Sequence, residues 1–301
     1  MNGLSIPEND RRAGLLALAG ALRPELHRYC ARLMGSVIDG EDVVQDTFVR
    51  AFAALQTLEE APLLRPWLFR IAHNRALDLL RGRALRQVEP IEAAADVVDQ
   101  TSPDPVERLM RQEALDTAVS RFAELPIMQR STIILKDVLD EPLIEIAGLL
   151  DLTVDAVKAH LARGRARLRA LNAQSRPQPA ARPASAAVQR YVALFNQRDW
   201  EGLRALLAED VRLQQSDYPL RVGAADVGMF FTIYAKSEHV RLAPAWLEGR
   251  EVVAVFEDRD DPEPSYMMWL DWRDGRISFI RDYRHVRYVA ADAELALADG
   301  A

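Results

Sequence analysis

Four arginines recur at every second position within "LTVDAVKAHLARGRARLRAL", Leu152 to Leu171: Arg163, Arg165, Arg167 and Arg169, with no acid among them. Guanidinium groups at that density are suited to holding phosphate oxygens. On a wheel at about 100° per residue, Val154, Val157, Leu161, Leu168 and Leu171 share one arc that would face a core. Lys158, Arg165 and Arg169 flank that arc on one side, and Arg163 and Arg167 on the other. Ala159, Ala162, Ala166 and Ala170 lie between the two basic rails and face outward. Small residues let the helix approach a surface closely, and the rails suit the two backbones that bound a major groove. The plainer reading is an amphipathic helix that is solvated or drawn to acidic lipid or protein.

The residues upstream favour DNA. In "EPLIEIAGLLDLT", Pro142 suits a first helical turn, Ala147 is small where two helices would pack, and Asp151–Leu152 makes a short turn. Thr153 is a good N-cap for the basic helix. Together these elements read as a helix-turn-helix that presents its second helix to a groove.

A second group of polar residues lies earlier. "GEDVVQDTFVRAFAAL", Gly40 to Leu55, sets Asp42, Gln45, Asp46 and Val49 along one helix side, opposite Val43, Val44, Phe48, Ala51, Phe52 and Leu55. In "RPWLFRIAHNRALDLLRGR", Arg65 to Arg83, Arg70, Asn74 and Arg81 align, with Trp67 and His73 at the edges. Such a stripe can hold phosphates and stack or hydrogen-bond unpaired bases. The alternatives are a solvated acidic face and a capped helix whose Trp is core.

These elements sit in a 301-residue chain of formal charge −7 and 49% hydrophobic residues, enough for two or three cored domains. The sequence carries no long apolar run and no signal-peptide order at its start, so a cytoplasmic protein without a membrane contact is expected. The single cysteine, Cys30, allows no intrachain disulfide and no cysteine-rich zinc site. No metal or cofactor is expected. Two stretches read as tethers: the acidic, proline-bearing Val88–Glu107 and the Pro/Ala/Ser-rich Asn172–Ala187. Residues 188–301 carry about −6 of the net charge, which leaves the helical part near neutral with its charge in patches.

In this order, the first two blocks resemble a bacterial sigma factor of the sigma-70 family, extracytoplasmic-function (ECF) group. "EDVVQDTFVRAFAAL" with "RPWLFRIAHNRALDLLRGR" resembles region 2, and "LPIMQRSTIILKDVLDEPLIEIAGLLDLTVDAVKAHLARGRARLRAL" resembles region 4. The resemblance implies core RNA polymerase and promoter DNA as partners. Asp42, Gln45, Asp46 and Val49 would dock on the β′ clamp helices, and region 4 on the β flap. The loop from Thr57 to Arg65, with Arg65, Trp67, Arg70, His73, Asn74 and Arg81, would melt and read the minus-ten element. Thr153, Lys158, Ala159, Ala162, Arg163 and Arg167 would read the minus-thirty-five element, arginine to guanine and alanine to a thymine methyl. Two features depart from the family pattern: Pro142 stands where Ser or Thr usually caps, and "QTLEEAPLLRP" is acidic and apolar where relatives carry basic or Gly-Ser residues.

The last hundred residues differ. The amphipathic run "AVQRYVALFNQRDWEGLRALLAEDV" is read as one helix, "PLRVGAADVGMFFTIY" as the next, and "VRLAPAWL", "REVVAVFED", "SYMMWLDWRDG" and "RISFIRDYRHVRYV" as strands, with "RDG" as a hairpin turn. This piece resembles a SnoaL-like, polyketide-cyclase-like cone fold, although the Asp-Gly-Gly-Gly-Lys stretch of one SnoaL-bearing sigma subgroup is absent. The expected architecture is therefore a mainly α part followed by an α+β cone: 8–86 region 2, 87–107 tether, 108–171 region 4, 172–187 tether, 188–290 SnoaL-like domain and 291–301 tail. Candidate cone-lining residues are Tyr234, Trp246, Met268, Trp269, Tyr283 and His285, with Asp282 as acid or base and a small molecule as candidate ligand. Asp282 points into the cone only if Ile280 does too. With no nucleophile–base pair visible, no catalytic residue is assigned and the chain is read as a non-enzyme. In the resemblance, the cone domain contacts the sigma core and sets its activity. The rival readings are a helix-turn-helix regulator with a ligand-sensing domain, and a small-molecule enzyme fused to a transcription module.

Overall fold

The computed structural model describes residues 8–55, 63–84, 105–174, 182–216, 218–258 and 260–299. Residues 57–62 of the expected minus-ten loop, residues 88–104 of the first tether and residues 175–181 of the second lie outside these. The chain divides into two compact units, Met1–Ser175 and Arg176–Ala301.

The first unit is helical: α1 Glu8–Met34, α2 Val37–Leu55, α3 Leu64–Ala84, α4 Pro105–Asp116, a 3-10 turn Val119–Glu124, α5 Ile127–Ile133 running into a π-helical turn Ile134–Val138, α6 Leu143–Leu150 and α7 Val154–Asn172. The apolar side of α2 packs as its spacing requires, with Val43, Val44, Phe48 and Ala51 buried against Leu26, Tyr29 and Leu33 of α1. Gly40 lets the two helices approach: a Cβ there would lie 2.5 Å from the Ala31 backbone. One continuous apolar core runs from Leu22 to Leu171.

Helix α6 starts after Pro142, which occupies the N-cap rather than the first turn, and ends at Asp151 in the left-handed conformation. Thr153 then caps α7 by accepting the Ala156 N–H at 3.1 Å. Val157, Leu161, Leu168 and Leu171 are buried, as the wheel places them, while Val154 is half-buried. Gly164 joins the buried set. A Cβ there would lie 2.7 Å from Ile133 Cδ1 and 3.1 Å from Gln129 Cβ, so glycine sets how closely α7 crosses α5.

The second unit is α+β. Its elements are α8 Ala186–Asn196, α9 Trp200–Ala205, β1 Leu207–Gln215, β2 Arg221–Val222, α10 Ala224–Gly228, α11 Phe230–Tyr234, β3 Arg241–Leu247, β4 Arg250–Phe256, β5 Tyr266–Arg273, β6 Arg276–Asp282, α12 Tyr288–Ala291 and β7 Leu295–Leu297. The strands form one sheet in the order β2-β1-β6-β5-β4-β3-β7, antiparallel except for β1 with β6. The hairpin read from "RDG" is present: Asp274 and Gly275 both take positive φ between β5 and β6, as a two-residue primed turn requires.

Several element expectations are corrected. The run read as one opening helix breaks at Arg198, which takes a positive φ; Asp199 caps α9, and Leu207 begins β1. The next "helix" begins as the short edge strand β2. Strand β6 stops at Asp282, where the chain turns toward α12. Within the segment read as a tail, Leu295–Leu297 pair with β3 as a seventh strand.

Candidate nucleic-acid and polymerase interface

The basic helix α7 is anchored by its apolar arc. On its open side Thr153, Lys158, Ala162, Arg167, Arg169 and Ala170 are exposed, with Ala159 and Arg163 half-buried. The four arginines do not share one role. Arg165 donates Nε and Nη2 to the two carboxylate oxygens of the buried Asp137 at 2.9 and 2.5 Å. An acid 28 residues away thus balances a charge that no neighbour in sequence balances. Arg169 lies 3.8 Å from Glu113, and Lys158 lies 3.8 Å from Asp155. Arg167 projects from the exposed face with Ala162, Ala166 and Ala170. The result is a small-residue strip edged by cations, which can lie in a groove between phosphates.

On α2, Val49 is exposed, while Asp42, Gln45 and Asp46 are half-buried. Asp46 pairs with Arg75 of α3 at 2.6 Å, and Asp39 with Arg83 at 2.7 Å. Two bridges therefore fix α2 against α3, and the face is less open than its acidity suggests.

The stripe on α3 divides. Asn74 and Arg81 are exposed. His73 is buried, and its Nδ1 meets the Tyr29 hydroxyl at 2.7 Å. Burial, with the nearby Arg81 charge, lowers its pKa to about 4, so it is neutral. A buried, neutral ring is not presented to DNA in this arrangement, which corrects the expectation for His73. Trp67 is half-buried and packs on the core. Arg65 forms ion pairs with both Glu25 and Glu141. Its burial would lower its pKa, but the hydrogen bonds it donates to Glu141 and Glu25 outweigh that and raise it. Arg70 donates to the Gly148 carbonyl of α6 at 2.6 Å. A further residue, not singled out from sequence, ties the same two parts. The buried Arg130 donates to the Leu33 carbonyl at the end of α1, and to Ala123 and Leu125. Burial lowers its pKa to about 10. An arginine between two prospective regions carries no sequence signature of such a role.

In the second unit, Asp282 and Ile280 are both buried on the helix-covered side. Asp282 accepts from Gln215 Nε2 at 2.7 Å and from the Arg284 N–H at 3.0 Å. Burial raises its pKa to about 6, with Gln215 and Arg284 opposing. Nearby, the Tyr234 and Tyr266 hydroxyls meet at 2.7 Å, and the Arg284 guanidinium lies 5.2 Å from the Tyr234 ring centroid. The Tyr191 hydroxyl is buried with no hydrogen-bond partner among the described residues. Met268 joins this core.

The other cone candidates fall elsewhere. Trp269 alternates with Met268 and Leu270, so it lies on the opposite face, against Phe279. Tyr283, next to Asp282, is buried beneath Arg281. Trp246 sits at the sheet end opposite Glu251 and donates to the Arg182 carbonyl at 3.1 Å. His285 is exposed and packs at a 45° tilt against Tyr218, 4.6 Å between centroids. Among the described residues no group of three His, Cys, Asp or Glu side chains could hold a metal, and no helix is long and apolar enough to cross a membrane.

The first unit is thus a helical bundle that ends in a capped helix-turn-helix, and the second is an α+β domain. Comparison with known proteins narrows the class. Residues 18–86 match Sigma-70 region 2, residues 117–168 match Sigma-70 region 4, and residues 188–280 match the SnoaL-like domain. The RNA polymerase sigma factor CnrH of Cupriavidus metallidurans is 35% identical over 140 residues, which cover 44% of this chain and 73% of CnrH. The ECF RNA polymerase sigma factor SigG of Mycobacterium tuberculosis is 29% identical over 237 residues, which cover 70% of this chain and 64% of SigG. Among solved structures, the ECF sigma factor SigJ of M. tuberculosis covers 89% of this chain and 95% of SigJ, with 21% identity and a TM-score of 0.36. The chain belongs to the sigma-70 family of RNA polymerase sigma factors, in its ECF group. It spans under two thirds of the length of SigG.

Proposed function

We propose that this chain binds core RNA polymerase and directs transcription initiation at a specific set of promoters. The observation that carries this reading is the exposed strip on α7, with Lys158, Ala162 and Arg167 open while Val157, Leu161 and Leu168 anchor it. In this reading α7 enters the minus-thirty-five major groove. Thr153, Lys158, Ala159, Ala162, Arg163 and Arg167 make the contacts, and Ala162 and Ala159 meet thymine methyls. Asn74 and Arg81, with Arg65, Trp67 and Arg70, serve the minus-ten element; His73 supports their helix from inside. Val49, Asp42, Gln45 and Asp46 dock on the β′ clamp helices, and region 4 meets the β flap.

The SnoaL-like domain acts as a tethered modulator of this activity, not as an enzyme, and the protein works in the cytoplasm. A domain of about −6 charge near basic DNA-binding faces has a high effective concentration there. The polar cluster of Asp282, Gln215, Tyr191, Tyr234 and Tyr266 lacks a nucleophile with an adjacent base, which favours a structural or ligand-holding role.

Co-elution of the full chain with core polymerase, followed by footprinting of the holoenzyme on DNA, tests the reading. Val49→Asp should lose co-elution, and Arg167→Ala should keep it while losing upstream protection. DNA protection by the chain without polymerase, together with no co-elution, would favour a conventional regulator.

A further inference from the structure

The structure assigns a single-stranded DNA site to the open sheet face of the second unit, centred on Trp269 and Phe279. Helices α8 and α9 cover the other face, where Val211, Leu213, Met268, Leu270 and Ile280 are buried. Arg212 alternates with Val211 and Leu213, and Trp269 with Met268 and Leu270, so both point away from that core. Phe279 of β6 is the register partner of Arg212 on β1 and of Asp271 on β5. Trp269 and Phe279 meet edge to face, 6.2 Å between centroids. Arg250 lies 4.9 Å from the Trp269 centroid, and Arg212 lies 5.9 Å from that of Phe279. The adjacent strands β1, β6, β5 and β4 thus present arginine, ring, ring, arginine in a row. Both arginines are exposed and both rings are half-buried.

This row has the chemistry of a stacking platform. Sheet-borne aromatic rings take the faces of two or three unpaired bases, and cations beside them take the phosphates. A duplex hides its base faces and does not fit. Three strand spacings of about 4.8 Å set the arginines roughly 14 Å apart, one at each end of the ring pair. Arg273 at the rim is paired with Asp210. Arg212 and Arg250 have no ion-pair partner among the described residues. Their cation–π contacts are weak at an exposed site, so a base can take the ring while the guanidinium turns to a phosphate. The half-buried Asp271 lies beside both rings and opposes a phosphate, but it accepts the exocyclic amino group of a cytosine. The rest of the unit, at about −6 overall, repels a polyanion and confines binding to this face. Promoter opening leaves a DNA strand unpaired, so the choice of DNA rests on the proposed sigma function.

The full chain and an iodouracil-substituted pyrimidine DNA of about 12 nucleotides, within the usual site size, test the site by photocrosslinking. Crosslinks should form at Trp269 and Phe279. Half-maximal crosslinking there reports this face alone, apart from binding by α3 or α7. Arg212→Ala with Arg250→Ala should raise the half-maximal concentration about ten-fold. The slope of log K against log salt should fall by about 1.4, or about 0.7 per phosphate. Trp269→Leu keeps an apolar side chain without the ring and should weaken the Phe279 crosslink to a similar degree. Crosslinks confined to the helical unit, or half-saturation unchanged in both variants, would overturn the site. Tighter binding of the same sequence as RNA would overturn the choice of DNA. A dimer that becomes a monomer in the arginine double variant, with crosslinking unchanged, would give the face to a second copy instead. Co-elution of the same variants with core polymerase decides the sigma function separately.

Discussion

Arg165 of α7 lies across the Asp137 carboxylate of the π-helical turn with two hydrogen bonds, while Arg167, two residues on, reaches outward from the same helix. The same residue type thus serves stability at one position and a surface at the next. Arg165→Ala leaves the Asp137 carboxylate buried and unpaired, so it should destabilise the helical unit by about 3 kcal/mol. Arg167→Ala should change stability by less than about 0.5 kcal/mol and weaken promoter binding. Chemical denaturation beside a DNA-binding titration separates the two. Equal losses of stability in both variants would contradict the division.

The glycines make a second set of expectations. At Gly40 an added methyl meets backbone of Ala31, which cannot move aside, and at Gly164 it meets the Ile133 and Gln129 side chains. Gly40→Ala should cost about 3 kcal/mol and Gly164→Ala about 1–2 kcal/mol. Gly148, with open space around it, should gain up to about 1 kcal/mol as alanine. The order of the three midpoints in urea checks the packing.

The two units should respond oppositely to acid. Neutral His73 titrates at about 4, below the ordinary value of 6.5. Its contribution is fully present above pH 6.5 and is lost as pH falls toward 4, of order 3 kcal/mol. Asp282 titrates at about 6, above the ordinary 3.8. Its protonated form favours the fold below pH 3.8, and that advantage is lost as pH rises through 6, again of order 3 kcal/mol. Between pH 6.5 and 4 the helical unit should melt progressively lower and the cone progressively higher, relative to variants His73→Asn and Asp282→Asn. Asp282→Asn should flatten the cone's profile; a profile unchanged by it would assign the dependence to other groups.

Legibility in the sequence followed the range of the interaction. The arc of α7, the Thr153 cap and the Asp274–Gly275 turn are local, and spacing alone exposes them. The pairing of Arg165 with Asp137, the crossing at Gly164 and the seating of Arg65 between Glu25 and Glu141 depend on partners that the fold brings from 28 to 76 positions away. Strand β1 is hidden because "LLAED" extends a helical pattern, and its pairing with β6 on one side and β2 on the other defines it. Trp246 and Trp269 read as cone lining by type, but their positions along strands put one at the sheet end and one on the opposite face.

Run-off transcription from a randomised promoter library, with purified core polymerase and the full chain, tests the central claim most directly. A sigma factor should yield transcripts that share two enriched upstream elements, and Arg167→Ala should lose enrichment at the upstream one. No selected transcripts, from a protein that shifts the same DNA unaided, would contradict the account.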